Sequence, residues 1–314
     1  MNFSPELSFC PTAAPYEITD PKKGKTLVKK ANLMLGKVAC KFGVSMYAKL
    51  DPHHEKDDGS YTHIIEIVPF VHFVTHWIIK GTSEEKLFTS GISAIITGMK
   101  ALGFAPSVKK KRNGVETHYI GGASHIHVGA DLFQIGPDYY EKMERFHRNL
   151  TISYANHPEI RWLFADWMSC NAHRTLYDPT KKLDRINGES TEDALFRRML
   201  IGSIHAIEPR FMVTSKNSYL TFEFRFFRMV ESAEELCFIV RFVEAWVNDL
   251  VSRTLAENPI KLQMTKRRWA ELKTVEGSRK HIKNFLDEIG LNWQDYEMFY
   301  NRNYRTRMKF GSMI

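Results

Sequence analysis

Two periods run through this chain. In some short stretches apolar residues recur at every second position, the mark of a half-buried strand. In longer ones they recur at every third or fourth, the mark of an amphipathic helix. Strand patterns fall at Lys41–Lys49, Tyr61–Phe70, Ser124–Phe133, Arg210–Thr214 and Tyr219–Phe227. Val108–Tyr119 reads as a hairpin turning at Asn113–Gly114, a strong two-residue turn signal. Ser83–Leu102 reads as a helix with Phe88, Ile92, Ile95, Ile96 and Met99 in one stripe, Ser83 as its cap and Gly103 as its stop. Further helices are predicted over Asp138–Ala155, Pro158–Asn171 and Thr191–Ala206. Ser232–Glu257 is a long one, with a capping box from Ser232 to Glu235 and Leu236, Val240, Val243, Val247 and Val251 turned inward. Residues 1–35, rich in Pro and Lys, read as irregular, and the segment after 257 as mostly helical and basic. Strands alternating unevenly with helices predict an α+β fold with a mainly antiparallel sheet flanked by helices.

Composition narrows the class. With 43% apolar residues among 314, a large core is within reach and wholesale disorder is excluded. The net charge of +8 suits an anionic ligand or a polyanion without requiring one. The most apolar runs, His63–Ile79 and Cys237–Val251, are interrupted by Glu66, Arg241 and Glu244, so no membrane helix is expected. The start of the chain lacks the pattern of a signal peptide. Cys10, Cys40, Cys170 and Cys237 are widely spaced with no CxxC, which predicts free thiols in a reducing compartment and a cytoplasmic protein.

Four segments could carry chemistry. In Gly121–Gly129, strand alternation sets His125 and His127 on one face and Ile126 and Val128 on the other. Such a pair can ligand one metal, or a metal and an adjacent phosphate, or simply be two hydrogen-bonded histidines of a sheet. In Tyr219–Phe227, Glu223 and Arg225 share a face opposite Leu220, Phe222, Phe224 and Phe226. They are either a surface ion pair or a semi-enclosed functional pair. Glu66 lies mid-strand in an apolar run, either paired or metal-bound or else at an edge facing water. Glu6 and Ser8 would share a strand face near the start. A carboxylate-rich set with an imidazole suits Mg²⁺ or Mn²⁺, and an adjacent Arg suits a phosphate. No GxxxxGK[ST] or GxGxxG motif is present.

The order of these motifs resembles the amidoligase family, carboxylate–amine ligases of the glutamine synthetase and glutamate–cysteine ligase superfamily. The likeness spans roughly residues 1–255. It rests on a Glu-bearing first strand, Asp58-Gly-Ser60, Glu66, His125-Ile-His127-Val-Gly129 and Thr221-Phe-Glu223-Phe-Arg225. It implies a curved, mainly antiparallel sheet of glutamine-synthetase-like type, with a catalytic region 1–257 and a basic helical extension 258–314. It further implies ATP, Mg²⁺ or Mn²⁺, and small or peptide-like carboxylate and amine substrates. The substrate carboxylate would take the γ-phosphoryl group to give an acyl phosphate, and an amine would then displace phosphate. By the resemblance Glu6, Glu66, His125 and Glu223 are metal ligands, His127 faces the nucleotide phosphates, and Arg225 holds the transferred phosphoryl group. Where the family's first strand reads G-x-E-x-E, this chain has Ser4, Glu6 and Ser8, so one ligand position is changed, with Glu17 a candidate replacement.

Two other classes share some of these residues. HxH with Glu also resembles the ligand pattern of cupin-type metal enzymes. Lys109–Arg112 and the tail, where Arg302, Arg305, Arg307 and Lys309 accompany Trp293, Tyr296, Phe299, Tyr300 and Tyr304, fit a nucleic-acid-binding protein. The same tail fits helices packed on the sheet.

Overall fold

The structure is a computed structural model. It describes residues 1–310 apart from 14, 71–72, 113–114, 122, 130–131, 135, 161–162, 164–175, 187, 201–206 and 214–217. The chain falls into two compact units. The first is built chiefly from Met1–Val128 and Phe227–Arg241, the second chiefly from Gly129–Trp167, Asn171–Phe226 and Phe242–Ile314. Helices and antiparallel strands mix in both, an α+β fold.

In the first unit the chain opens with a strand, β1 (Asn2–Pro11), followed by α1 (Pro21–Phe42), β2 (Met46–Glu55), β3 (Tyr61–Pro69), a short β4 (Phe73–Val74) and α2 (Ser83–Ala101). Then come β5 (Phe104–Ala105), β6 (Ser107–Arg112), β7 (Val115–Gly121) and β8 (Ala123–Gly129). β2, β3, β1 and β8 lie side by side in that order, each pair antiparallel, while β6 and β7 form a separate two-stranded ribbon. The turn expected at Asn113–Gly114 lies outside the described residues.

Residues 1–35, expected to be irregular apart from the strand face suggested for Glu6 and Ser8, supply a central strand and most of a long helix. Pro21 is the reason for the helix. Its fixed φ suits the first helical turn, and the Asp20 side chain accepts from the Lys22 amide at 2.8 Å as the cap. The helix runs on through Lys41, where a strand was expected, and ends at Gly43 with φ 73°. α2 starts one residue from the expected cap: Thr82 accepts from the Glu85 amide at 3.1 Å.

One face of the sheet is apolar. Phe3, Leu7, Phe9, Ile65, Ile67, Ile126 and Val128 are fully buried there, and Phe3 meets Phe73 and Phe88 ring to ring. α1 packs on β2 and on α2, burying Ala31, Leu35 and Val38. Its Asn32 amide donates to the Ala48 carbonyl at 3.2 Å and accepts from the Ala48 N–H at 2.7 Å, covering the free edge of β2 at that residue. Gly91 of α2 passes so close to Val44 that a Cβ would sit 2.5 Å from its Cγ2. Arg241 donates twice to the Ile78 carbonyl, at 2.9 and 2.6 Å, and pairs with Glu85.

The second unit holds α3 (Tyr139–Asn156), α4 (Thr191–Leu200), the antiparallel pair β9 (Ile207–Val213) and β10 (Ser218–Arg228), and most of α5 (Ala233–Leu255). It closes with α6 (Lys266–Leu272), α7 (Val275–Glu288) and α8 (Trp293–Phe310). The Ser232 hydroxyl caps α5 at the Glu235 amide, 3.2 Å away. Leu236, Val240, Val243 and Val247 are buried as the stripe requires, and Val251 is half-buried. Of the helix expected over Pro158–Asn171, Pro158–Ile160 forms a short 3-10 turn and most of the rest lies outside the described residues; so do 201–206 of Thr191–Ala206. The segment after 257 is tied down by Asn156, which accepts from the Gln263 amide at 2.7 Å and donates to the Lys261 carbonyl at 2.9 Å. Trp293, Tyr296, Phe299 and Tyr300 are buried, with the Tyr300 hydroxyl 2.7 Å from Ser278 Oγ. These rings are core, not a stacking platform for bases. The side chains of Arg302, Tyr304, Arg305, Arg307 and Lys309, and those of Lys109–Arg112, lie outside what is described.

Candidate functional site

The other face of the first unit's sheet is polar. Alternation sends Ser4, Glu6 and Ser8 of β1 to the side opposite Phe3, Leu7 and Phe9, and the register aligns them with polar neighbours. Glu6 stands opposite His125, Ser4 opposite His127, and Ser8 opposite Glu66, which itself faces Lys49 on β2. His125 Nδ1 lies 3.4 Å from Glu6 Oε2, and His127 Nε2 3.3 Å from Glu6 Oε1. Lys49 Nζ sits 2.7 Å from Glu66 Oε2. Ligand atoms of Glu6, Glu66 and His125 all lie within 4.8 Å of one another. Strand alternation therefore holds for the histidine pair: both imidazoles project from the same face onto one carboxylate.

Glu66 does not face water. It is 3% exposed, because β3 runs between β1 and β2 and both of its faces are covered. The two carboxyls are driven apart in proton affinity. Burial, then the negative charges of Glu6 and Asp51, push Glu66 up to about 7 against the pull of Lys49. Burial also opposes ionisation of Glu6, but the hydrogen bonds and charge of His125 and His127 outweigh it and hold its carboxyl well below the usual carboxylate range. Burial likewise works against the charge on Lys49, and the Glu66 carboxylate outweighs it, raising the ammonium. Environments that split two neighbouring carboxyls this far are characteristic of catalytic and ion-binding sites.

The donor set fits a hard divalent cation. Two carboxylates and one imidazole converge, and their mutual repulsion is what a cation would relieve. Ser8 occupies the changed position of the first strand, 3% exposed beside Glu66 in the register, and brings no charge. Glu17 is not among the gathered donors. Asp58-Gly-Ser60 is a surface turn: Ser60 donates to Asp58 Oδ1 through its amide at 2.9 Å and its hydroxyl at 2.6 Å, and Gly59 takes φ 76°.

Glu223 and Arg225 belong to the second unit. On β10, Phe222, Phe224 and Phe226 are buried against Phe146, Trp246 and Tyr154, which fixes the register and turns Glu223 and Arg225 the other way. Arg225 Nη1 donates to Glu223 Oε2 at 3.4 Å; the side chains are 21% and 5% exposed, so the pair is enclosed rather than superficial. The side chains of Tyr219 and Leu220 lie outside what is described.

Lys49 and Asp51 are the site residues that the sequence reading missed. Their signal was present: Tyr47, Lys49 and Asp51 alternate with Met46, Ala48 and Leu50, a period-two pattern hidden by starting the strand at Lys41.

No family model matches the chain, and no curated protein matches it. Among solved structures, 3-hydroxy-3-methylglutaryl-coenzyme A reductase from Streptococcus pneumoniae aligns with 96% of this chain and 74% of its own length. The identity is 9% and the TM-score 0.21, a likeness too slight to carry an argument.

Proposed function

We propose that the chain is an ATP-dependent carboxylate–amine ligase of amidoligase type that works with Mg²⁺ or Mn²⁺. The observation that carries this reading is the convergence of Glu6, Glu66 and His125 within 4.8 Å on one face of an antiparallel sheet. A cation held there would neutralise charge on nucleotide phosphates. Glu6 is kept ionised by the two histidines and is the permanent anionic ligand. Glu66, shared with Lys49, is the ligand whose charge the cation stabilises. Lys49, 43% exposed at its side chain, offers an anionic group a positive partner beside the carboxylates. His127, buried beside Glu6, orients that carboxylate and is the residue the family resemblance turns toward phosphate. The resemblance makes Glu223 a further ligand and Arg225 the holder of the phosphoryl group; the cation reading stands on Glu6, Glu66 and His125 alone. The glutamine-synthetase-like form of the sheet is part of the same proposal.

The test is ADP release from ATP with Mg²⁺ or Mn²⁺, screened over pools of carboxylic acids and amines. The expected result is release that needs metal, an acid and an amine together, and that falls at least 100-fold in Glu66→Gln, a loss of more than about 2.7 kcal/mol of transition-state stabilisation. Release that persists in excess chelator, or none with any pool, overturns the ligase assignment. A metal-dependent enzyme that uses no nucleotide is the second reading. Ser8 favours it, since a neutral side chain faces Glu66 where a second carboxylate would serve a multi-ion phosphate site. Metal binding without any ADP release would select it.

A further inference from the structure

The largest concentration of charge in the chain lies away from the carboxylate site, on α1. This helix carries Lys22, Lys23, Lys25, Lys29, Lys30, Lys37 and Lys41 and no acidic residue, so it holds +7 of the net +8. All seven lysines are exposed. At 3.6 residues per turn they fall within an arc of about 160°, opposite the buried Gly24, Ala31, Leu35 and Val38. Among the described residues none of the seven makes an ion pair; Lys41 lies over the neighbouring Phe42 ring at 5.1 Å. The helix extends about 33 Å at 1.5 Å per residue.

A second observation makes this face more than a solvated one. Lys22, Lys23 and Lys25 sit at or beside the first turn, where the helix dipole favours acids and repels cations; the helix itself holds no acid there, and the Asp20 cap is the one carboxylate at that end. The sequence breaks a local rule of helix stability at one end and stacks like charges along the whole face. One Asp20 carboxylate beside seven lysines leaves the face strongly cationic, so a complementary anion is expected from outside.

We propose that the lysine face of α1 binds the phosphodiester backbone of a nucleic acid without regard to sequence. Lysines are point charges that lack the planar fork used to read base edges or carboxylates, and they suit a line of phosphates. An anionic membrane fits less well. A helix that lies in a membrane surface inserts its apolar face, and here that face is already buried in the core. Leu33, 65% exposed, is the one large apolar side chain left among the lysines.

The test uses the full chain and fluorescent DNA and RNA duplexes of about 20 base pairs, with anisotropy read between 50 and 200 mM salt. Each lysine engaged contributes about −0.9 to the slope of log affinity against log salt, so substituting Lys22→Gln, Lys29→Gln and Lys37→Gln together flattens the slope by about 2.7. Binding of either duplex with this flattening supports the proposal. The melting temperature should stay level or rise slightly, because all three side chains are exposed and their loss relieves like-charge repulsion. A second set, Lys25→Gln with Lys30→Gln and Lys41→Gln, gives the same reading should the first fail to fold. Absence of binding at 50 mM salt, or an unchanged slope in both sets, overturns it. So does equally tight capture by phosphatidylserine vesicles or poly-glutamate. ADP release should be unaffected by either set, which keeps this result separate from the ligase assignment.

Discussion

His147 on α3 is a buried histidine whose charge no described neighbour offsets. Its ring is packed edge-on against Phe196 and Phe222, its Nε2 has no hydrogen-bond partner among the described residues, and Arg148 is its sequence neighbour. Burial first, then the Arg148 charge, push its proton affinity down to about 4. The unfolded chain protonates this histidine near the ordinary value of about 6.5, whereas the folded chain resists until about 4. Between those values the unfolded state binds the extra proton, so acid favours unfolding. The loss begins as pH falls below about 6.5 and levels off near about 4, amounting to about 3 kcal/mol. His147→Leu should remove that part of the pH dependence while leaving the rest. Urea unfolding of both proteins at several pH values in the window checks it; parallel slopes would refute it.

At the scale of elements, close approach decides a case where propensity points the other way. Replacing a helical glycine with alanine ordinarily stabilises a helix by up to about 1 kcal/mol. At Gly91 the added methyl would lie 2.5 Å from Val44 Cγ2 and 2.9 Å from its Cβ, and Val44 is itself fully buried just before β2. Overpacking of this kind typically costs 1–3 kcal/mol. Gly91→Ala is therefore expected to destabilise by about 1–2 kcal/mol net. A raised denaturation midpoint would show that α2 can move away from Val44.

Much of this was legible in the chain. Alternation alone placed His125 with His127 and Glu223 with Arg225, because a strand leaves its side chains only two directions. The capping box at Ser232 and the stripe of α2 were readable for the same reason: they are local. The first strand was read only as a face shared by Glu6 and Ser8, and α1 was not read at all, since Pro and Lys score as breakers and surface until one sees Asp20 and Pro21 as a helix start. The register was not legible at all. That Ser8 lies opposite Glu66, and Glu6 opposite His125, depends on how strands far apart in sequence align, which no local pattern encodes. Hence Glu66 could be read as facing water, while its partner Lys49 went unnoticed.

For the whole molecule, an ion that binds only the folded state stabilises it by mass action. Mn²⁺ at 100 times its dissociation constant should add about 2.7 kcal/mol, a rise of roughly 5–10 °C in Tm for a unit of this size. Glu66→Gln and His125→Ala should abolish the rise, while His127→Ala should keep it, since His127 is assigned to orient Glu6 rather than to ligate. Calorimetry with and without Mn²⁺ decides this independently of any substrate. An unchanged Tm in the wild type would remove the cation and the ligase reading with it.

The Asn32 amide on Ala48 gives α1 a second consequence. Edge strands offer unpaired donors and acceptors to any passing chain, and sheet proteins need some means of refusing that pairing. Here one side chain imitates the missing neighbour at Ala48, near the start of β2, and the helix that carries it turns a cationic flank to solvent. Two copies meeting along this edge would find the Ala48 hydrogen bonds taken and the lysine faces mutually repelled. The same helix that would draw in a polyanion thus also guards this point of the sheet edge against pairing with a second copy.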